Sequence, residues 1–237
     1  MQAAGMTHQG HLRARNEDAF WFDERQGFLA IADGLGGHGF GHLASQKAID
    51  FVTRDVQSGS LHRDDPTLTA LVQAVNRHIY QLSQDHPGAD GMRSTLACLH
   101  WRDAVFDCAW LGDSRIYLGT SIESLQCVSD DHTLFAQKKR QGIRPQPEDK
   151  HLLTRSIGGP FEVNVGTRQI PIPESGEYRA LLATDGLHNV VTHREISEIL
   201  FQDISLVEIC KQLIHAALRQ GGPDNISVIV AKGMSAH

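Results

Sequence analysis

Two segments with helical spacing follow each other directly in the first third of the chain, and two more do so near its end. The strand-like runs are grouped before, between and after these pairs, and this order constrains the fold most. A parallel doubly wound sheet needs a helix in each crossover between strands, whereas grouped strands pair as antiparallel hairpins. The first predicted strands are Asp18 to Phe22 and Phe28 to Ala32, with a turn at Glu24 to Gly27. Residues 42–57 form the first predicted helix, with Ile49, Val52 and Val56 on one face. Residues 66–84 form the second, with Leu68, Leu71, Val72, Val75, Ile79 and Leu82 on its face. Asp65 can cap this helix and Pro66 suits its first position. Strands are predicted at Thr95 to Trp101, Ala104 to Leu111, Ile116 to Leu118, Leu125 to Val128, Val163 to Ile172 and Tyr178 to Ala183. Residues 133–151 read as a short helix followed by a polar connection. The last two helices open on Thr192-x-x-Glu195 and Ser205-x-x-Glu208, both capping-box patterns. Gly221-Gly222 stops the second, and Ile226 to Ala231 is a last buried strand. The expectation is an α+β fold of antiparallel sheets with paired helices, in one domain spanning residues 1–237.

Composition narrows the function classes. A chain of 237 residues with 41% hydrophobic residues can bury a sizeable core. Its 22 basic and 28 acidic residues give a net charge of −6, so no global basic field exists to hold a nucleic-acid backbone. Cys98, Cys108, Cys127 and Cys210 form no Cys-x-x-Cys pair. They read as reduced residues in or near a core. No apolar run approaches the ~20 residues that span a bilayer. Met1 to Leu12 lacks the basic-then-apolar pattern of a secretion signal. The expectation is a cytoplasmic protein with no nucleic-acid or membrane partner.

The informative residues are acids placed where apolar runs begin or stop. Asp33 follows Leu29-Ala-Ile-Ala and precedes Gly34; Asp185 follows Leu181-Leu-Ala-Thr and precedes Gly186. Asp113 follows Ala109-Trp-Leu-Gly, Asp18 opens a strand-like run, and Asp224 stands just before another. Any one Asp-Gly pair reads as a turn. Together, strand ends from one sandwich can bring these carboxylates to a single rim, where cations must hold them against mutual repulsion. Oxygen-only ligands suit Mg²⁺ or Mn²⁺.

The ordered set of motifs resembles the metal-dependent serine/threonine protein phosphatases of type 2C, closest to the bacterial stand-alone members. The residues that carry this are Gly10-x-x-Arg13-x-x-Asn16-Glu17-Asp18, Asp33-Gly-Leu-Gly-Gly-His38, Gly112-Asp113-Ser-Arg115, Asp131-His132-Thr133, Leu153-Thr-Arg155-Ser-Ile-Gly158, Ala183-Thr-Asp185-Gly186 and Gly222-x-Asp224-Asn225. The resemblance runs from about Gly10 to Val230. It implies two packed antiparallel sheets flanked on both sides by pairs of helices, and a centre of two Mg²⁺ or Mn²⁺ ions with a weaker third. By position, Asp33 would bridge two ions, the Gly34 carbonyl would bind one, and Asp185 and Asp224 would hold the other. Asp113 with Asp185 would form the third site, and Asp18 would act through metal-bound water. A water activated between the ions would attack the phosphorus of phosphoserine or phosphothreonine. Arg13 would bind the phosphate through its planar fork, and His38 would give the leaving oxygen a proton. Glu17 and Asn225 would support the site from behind. The implied partners are phosphorylated proteins and a cognate serine/threonine kinase, served by a monomer.

Some residues depart from the family pattern. Gly41-His42 replaces Gly-Glu, Met92-Arg93-Ser94-Thr95 replaces a glycine-containing turn, and Glu148-Asp-Lys-His-Leu152 replaces Asn-His-Pro before Leu-Thr-Arg. None touches the expected metal ligands. Lys138-Lys139-Arg140 reads as a solvated face, with a second reading as a border of the cleft that attracts acidic substrates. Two other functions fit less well. One is a catalytically weak pseudophosphatase that binds phosphoproteins, which intact Asp33, Asp185 and Asp224 argue against. The other is a metal-dependent nuclease or phosphodiesterase, which the acidic charge balance disfavours.

Overall fold

The structure, a computed structural model, describes residues 1–35, 40–59, 67–85, 91–102, 105–160, 162–172 and 176–234. His38, Asp65, Pro66 and Ala104 therefore lie outside the described residues. Two antiparallel sheets pack face to face. One has the order β1-β11-β10-β7-β8, built from Gln2–His8, Ile226–Met234, Glu177–Ala183, Arg115–Gly119 and Gln126–Cys127. The other has the order β2-β3-β5-β6-β9, built from Asp18–Asp23, Phe28–Leu35, Leu96–Arg102, Val105–Leu111 and Gly166–Pro171, with the short β4 (Arg93–Ser94) also paired to β3.

Period-two alternation explains the layers. Along β3, Leu29 and Ile31 face the opposite sheet and pack with Leu99, Phe106, Leu182 and Ile229. Phe28, Ala30 and Ala32 face outward against Val52, Val72 and Ile79. Those three belong to α1 (Gly41–Gln57) and α2 (Leu68–Asp85), which cover one outer face. The other outer face buries Leu181, Val228 and Val230 under Ile209 and Leu213. These last two belong to α6 (Leu206–Arg219), which packs with α5 (His193–Leu200). A one-turn helix, α4 (Asp185–His188), lies against β11 on the same side. Each fully buried large apolar side chain contributes about 1.5–3 kcal/mol, so three such layers give both sheets a reason to stay together.

The sequence missed β1, which pairs along its whole length with β11, from Gln2 opposite Lys232 to His8 opposite Ile226. Gln-Ala-Ala-Gly-Met-Thr-His has little apolar alternation, and its strand character comes from this distant partner. Two predicted strands are shorter than expected. Val163 to Ile172 narrows to Gly166–Pro171, because its pairing with β6 ends at Trp110 opposite Gly166. Leu125 to Val128 narrows to Gln126–Cys127, paired with Tyr117 and Leu118. The side chains of Thr192 and Ser205 cap α5 and α6 as predicted, each accepting a backbone N–H at 3.2 Å. The glutamates of these boxes turn elsewhere: Glu195 pairs with Arg219 at 3.1 Å and Glu208 with Lys211 at 3.5 Å. An ion pair has displaced the reciprocal half of the box in each case. The 133–151 connection contains α3 (Leu134–Arg140) and a 3-10 turn at Pro147–His151. Lys138 is not simply solvated. Its ammonium contacts both carboxylate oxygens of buried Asp149, at 2.8 and 2.9 Å, and ties the 3-10 turn to α3. Cys98, Cys108 and Cys210 are buried and all four cysteines are free. Among the described residues no helix is long and apolar enough to cross a membrane.

Candidate active site

Three local arrangements bring the acids to one rim. β2 and β3 pair in a register that sets Asp18 opposite Asp33. The turn between β6 and β7 carries Asp113 to the same end. There Thr95 Oγ1 accepts the Asp33 N–H at 2.8 Å and lies 2.7 Å from Ser114 Oγ. In the other sheet, the Thr184 N–H donates to the Ser227 carbonyl at 3.1 Å, and the Ser227 N–H donates to Thr184 Oγ1 at 2.9 Å. This double tie closes the end of β10 onto β11, so that Asp185 and Asp224 stand side by side. Thr184-Asp185-Gly186 looks like a turn in the sequence, but Asp185 opens α4. Glycine is required at 186, since a Cβ there would collide with the Asn225 carbonyl. At 34 a Cβ would collide with the Gly41 carbonyl, which leaves that backbone close-packed at the rim.

The result is a cleft of about 260 Å³ lined by Arg13, Glu17, Asp33, Gly34, Asp113, Asp185, Asp224 and Asn225. Leu35, His151 and Leu153 complete its wall. Of the ten residues singled out in the sequence, eight therefore line one cavity. Asp18 lies beside it. Its Oδ2 accepts hydrogen bonds from Ser227 Oγ at 2.6 Å and Thr184 Oγ1 at 2.9 Å, while its Oδ1 is buried with no partner. His38 lies outside the described residues.

Asn225 laces the site together. Its Oδ1 accepts the Glu17 N–H at 2.9 Å, and its Nδ2 donates to the carbonyls of Gln9 and Arg15 at 2.8 and 2.9 Å. The segment bearing Arg13 and Glu17 is thereby fixed to the loop bearing Asp224. Arg13, half-exposed at the mouth, donates from Nη2 to Asp224 Oδ2 at 2.6 Å. That carboxylate raises the Arg13 pKa further above its ordinary value. Arg115 makes a bidentate pair with Asp131, at 2.9 and 2.7 Å, behind the Asp113 turn. His188 Nε2 lies 3.0 Å from the Asp113 carbonyl, which ties α4 to that turn.

Electrostatics mark the site as incomplete by itself. Burial, and then the neighbouring carboxylates Asp18, Asp185, Asp113 and Asp224, push Asp33 well above the usual carboxylate range. Burial first, then Asp185 and Asp131, raises Asp113 to about 8. Burial is likewise the main cause that lifts Asp18 to about 7 and Asp185 to about 6. Carboxylates this close cannot all ionise unless a cation compensates them. The donor set fits such a cation: every candidate ligand is oxygen, and one oxygen each of Asp18 and Asp185 is buried without a partner. Among the described residues no three side chains already close on one point as a cage. The Arg13 guanidinium holds one Asp224 oxygen instead.

The sequence singled out no role for His151, Leu153, Thr184, Ser227 or Thr95. His151 and Thr95 stand in segments that depart from the family pattern, and Leu153 and Thr184 stand inside motifs that carry the resemblance, whereas Ser227 had no signal.

A sequence model of the protein phosphatase 2C family matches residues 5–223. The chain is 35% identical to serine/threonine protein phosphatase PstP of Mycobacterium tuberculosis, over 98% of this chain and 45% of that protein. It is 33% identical to protein phosphatase PhpP of Streptococcus pneumoniae, over 96% of each. It thus spans less than half of PstP and nearly all of PhpP. Among solved structures, the catalytic domain of PstP in complex with two manganese ions superposes with a TM-score of 0.83 at 32% identity, covering 99% of this chain and 98% of that one.

Proposed function

The chain belongs to the protein phosphatase 2C family, and on that premise we propose that it hydrolyses phosphoserine and phosphothreonine in proteins with Mg²⁺ or Mn²⁺, opposing a serine/threonine kinase. The observation that carries this reading is the convergence of Asp33, Asp113, Asp185 and Asp224 with Arg13 in one cleft. Asp33, Asp185, Asp224 and the Gly34 carbonyl would hold two cations, and Asp113 with Asp185 a third. Bound there, divalent cations supply charge neutralisation for phosphoryl oxygens and lower the pKa of water.

The chain's own groups do the rest. Arg13 is exposed enough to swing from Asp224 and offer two parallel N–H bonds to a phosphoryl group. Asn225 keeps Arg13 and the Asp224 loop in one frame. Thr184 and Ser227 fix one Asp18 oxygen and leave the other free to order water at the cleft floor. His38 is the proposed donor of a proton to the leaving seryl or threonyl oxygen.

The test is turnover of a phosphothreonine peptide and of p-nitrophenyl phosphate in chelator, followed by Mn²⁺ add-back. Activity should vanish and then return. A chain that binds the peptide but turns over neither substrate at any Mn²⁺ level is a phosphoprotein-binding module instead. Arg13→Ala should raise KM for the phosphopeptide about tenfold and change kcat less, since a charge-assisted hydrogen bond is worth about 1.5–3 kcal/mol. An unchanged KM would return Arg13 to a purely structural pairing with Asp224.

A further inference from the structure

Residues 152–155 divide two cavities of opposite character. Leu153 lines the carboxylate cleft, whereas Thr154 and Arg155 line a second cavity of about 400 Å³ with Gln137, Arg140 and Gln141. Consecutive Cα atoms are about 3.8 Å apart, so the cavities abut across one stretch of chain. Every side chain lining the second cavity can donate a hydrogen bond, and none is acidic.

Three aspartates of the neighbouring segments are already engaged. Asp131 is bound by Arg115, Asp130 by Arg168, and Asp149 by Lys138. Among the described residues neither Arg140 nor Arg155 forms an ion pair with a carboxylate. Arg155 Nη1 donates to the Asn164 carbonyl at 3.2 Å and lies 3.3 Å from His132 Nε2, and among the described residues its other nitrogens have no hydrogen-bond partner. His132 is buried beside both arginines. Two guanidinium groups bordering one polar cavity repel each other until an anion joins them. Planar, bidentate donors suit carboxylate and phosphate oxygens best. This local positive field stands against a net charge of −6.

We propose that this cavity is a docking subsite for an acidic group of a phosphoprotein substrate, either a carboxylate side chain or a second phosphate. The proposal rests on the phosphatase reading of the adjoining cleft.

The experiment compares three phosphothreonine peptides in Mn²⁺: one with alanine flanks, one with glutamate and one with a second phosphothreonine two to four positions away. Either acidic peptide should show a KM about tenfold below that of the neutral one. The glutamate and phosphothreonine arms tell which acid the subsite prefers. Arg140→Glu should abolish the preference and Arg140→Lys should keep most of it. In both variants p-nitrophenyl phosphate, too small to reach the second cavity, should be turned over as in the unaltered protein. Equal KM values for the three peptides, or a preference that survives Arg140→Glu, overturns the subsite. So does an oligonucleotide that displaces the acidic peptide more effectively than inorganic phosphate does at equal charge. Should no substrate be turned over, the phosphatase reading fails by itself. Fluorescence binding of the same peptides then still decides the subsite: weaker binding by Arg140→Glu supports it, and equal binding overturns it.

Discussion

Asp185→Asn should remove Mn²⁺-dependent turnover by about 10³-fold or more while the fold stands, and should make the metal-free protein more stable. The loss follows from position. Asp185 opens α4 at the cleft floor, beside Asp224 and within electrostatic reach of Asp33 and Asp113. Removing one preorganised charge from such a site typically costs 10²–10³-fold, and losing a shared cation adds to that. The gain in stability has a separate cause. Burial and then Asp224 hold the Asp185 carboxyl at about 6, so at pH 7.5 the folded protein carries a charge it disfavours. An amide of the same shape removes that charge and keeps an oxygen for the Asn189 amide, now 3.0 Å away. Relief of about 1–2 kcal/mol corresponds to a Tm increase of roughly 2–8 °C in chelator. Near-normal turnover would take Asp185 out of the site. A lower Tm in chelator would make its carboxylate a structural support rather than a frustrated ligand.

The second large effect is on stability against pH. Without cations, stability should fall as pH rises from about 6.5 to 8. Asp18 is raised to about 7, Asp113 to about 8, and Asp33 well above its ordinary value. Between the unfolded pKa of about 3.9 and these values, the folded chain binds more protons than the unfolded one, so stability decreases with pH. Two buried histidines act in the opposite direction at lower pH. Burial lowers His132 to about 4 and His188 to about 3, and their contribution to stability rises with pH until about 6.5, then stays constant. The carboxylates are therefore read cleanly only above 6.5. Mn²⁺ should reverse the trend, because it binds deprotonated ligands. At about a hundred times its Kd it should add ~2.7 kcal/mol, a Tm rise of roughly 5–10 °C, with a smaller rise at pH 5.5. Thermal melts at pH 5.5, 6.5 and 8, with chelator and with Mn²⁺, measure this. A flat profile in chelator, together with no Mn²⁺ response, would mean that the carboxylates are not crowded in solution.

The outer features of this fold were legible because they are local. The apolar faces of α1, α2 and α6 follow from spacing of 3.6, and the placement of Asp33, Asp185 and Asp224 follows from where apolar runs stop. The family resemblance then supplied the sheet architecture and the roles of individual acids, which no periodicity carries. Features made by distant partners stayed hidden. β1 is a strand only because β11 accepts it. The helical turn at Asp185 depends on Asn225 leaving room for Gly186 alone. The clamp of Thr184 and Ser227 on Asp18 joins residues more than 160 positions apart. The pairing of Arg13 with Asp224 spans 211 positions. Lys138 looked solvated beside its neighbours, because its partner Asp149 lies in a turn that the sequence showed only as a polar connection.

The pairing of β1 with β11 also decides which corner of this protein lies away from the acids. Gln2 and Lys232 are neighbours at the rim furthest from the acids, while His8 and Ile226, at the other end of the same two strands, sit beside them. The corner formed by Gln2 and Lys232 therefore stands a full strand length away from the acids, and leaves the approach of a bulky target to the catalytic mouth unobstructed.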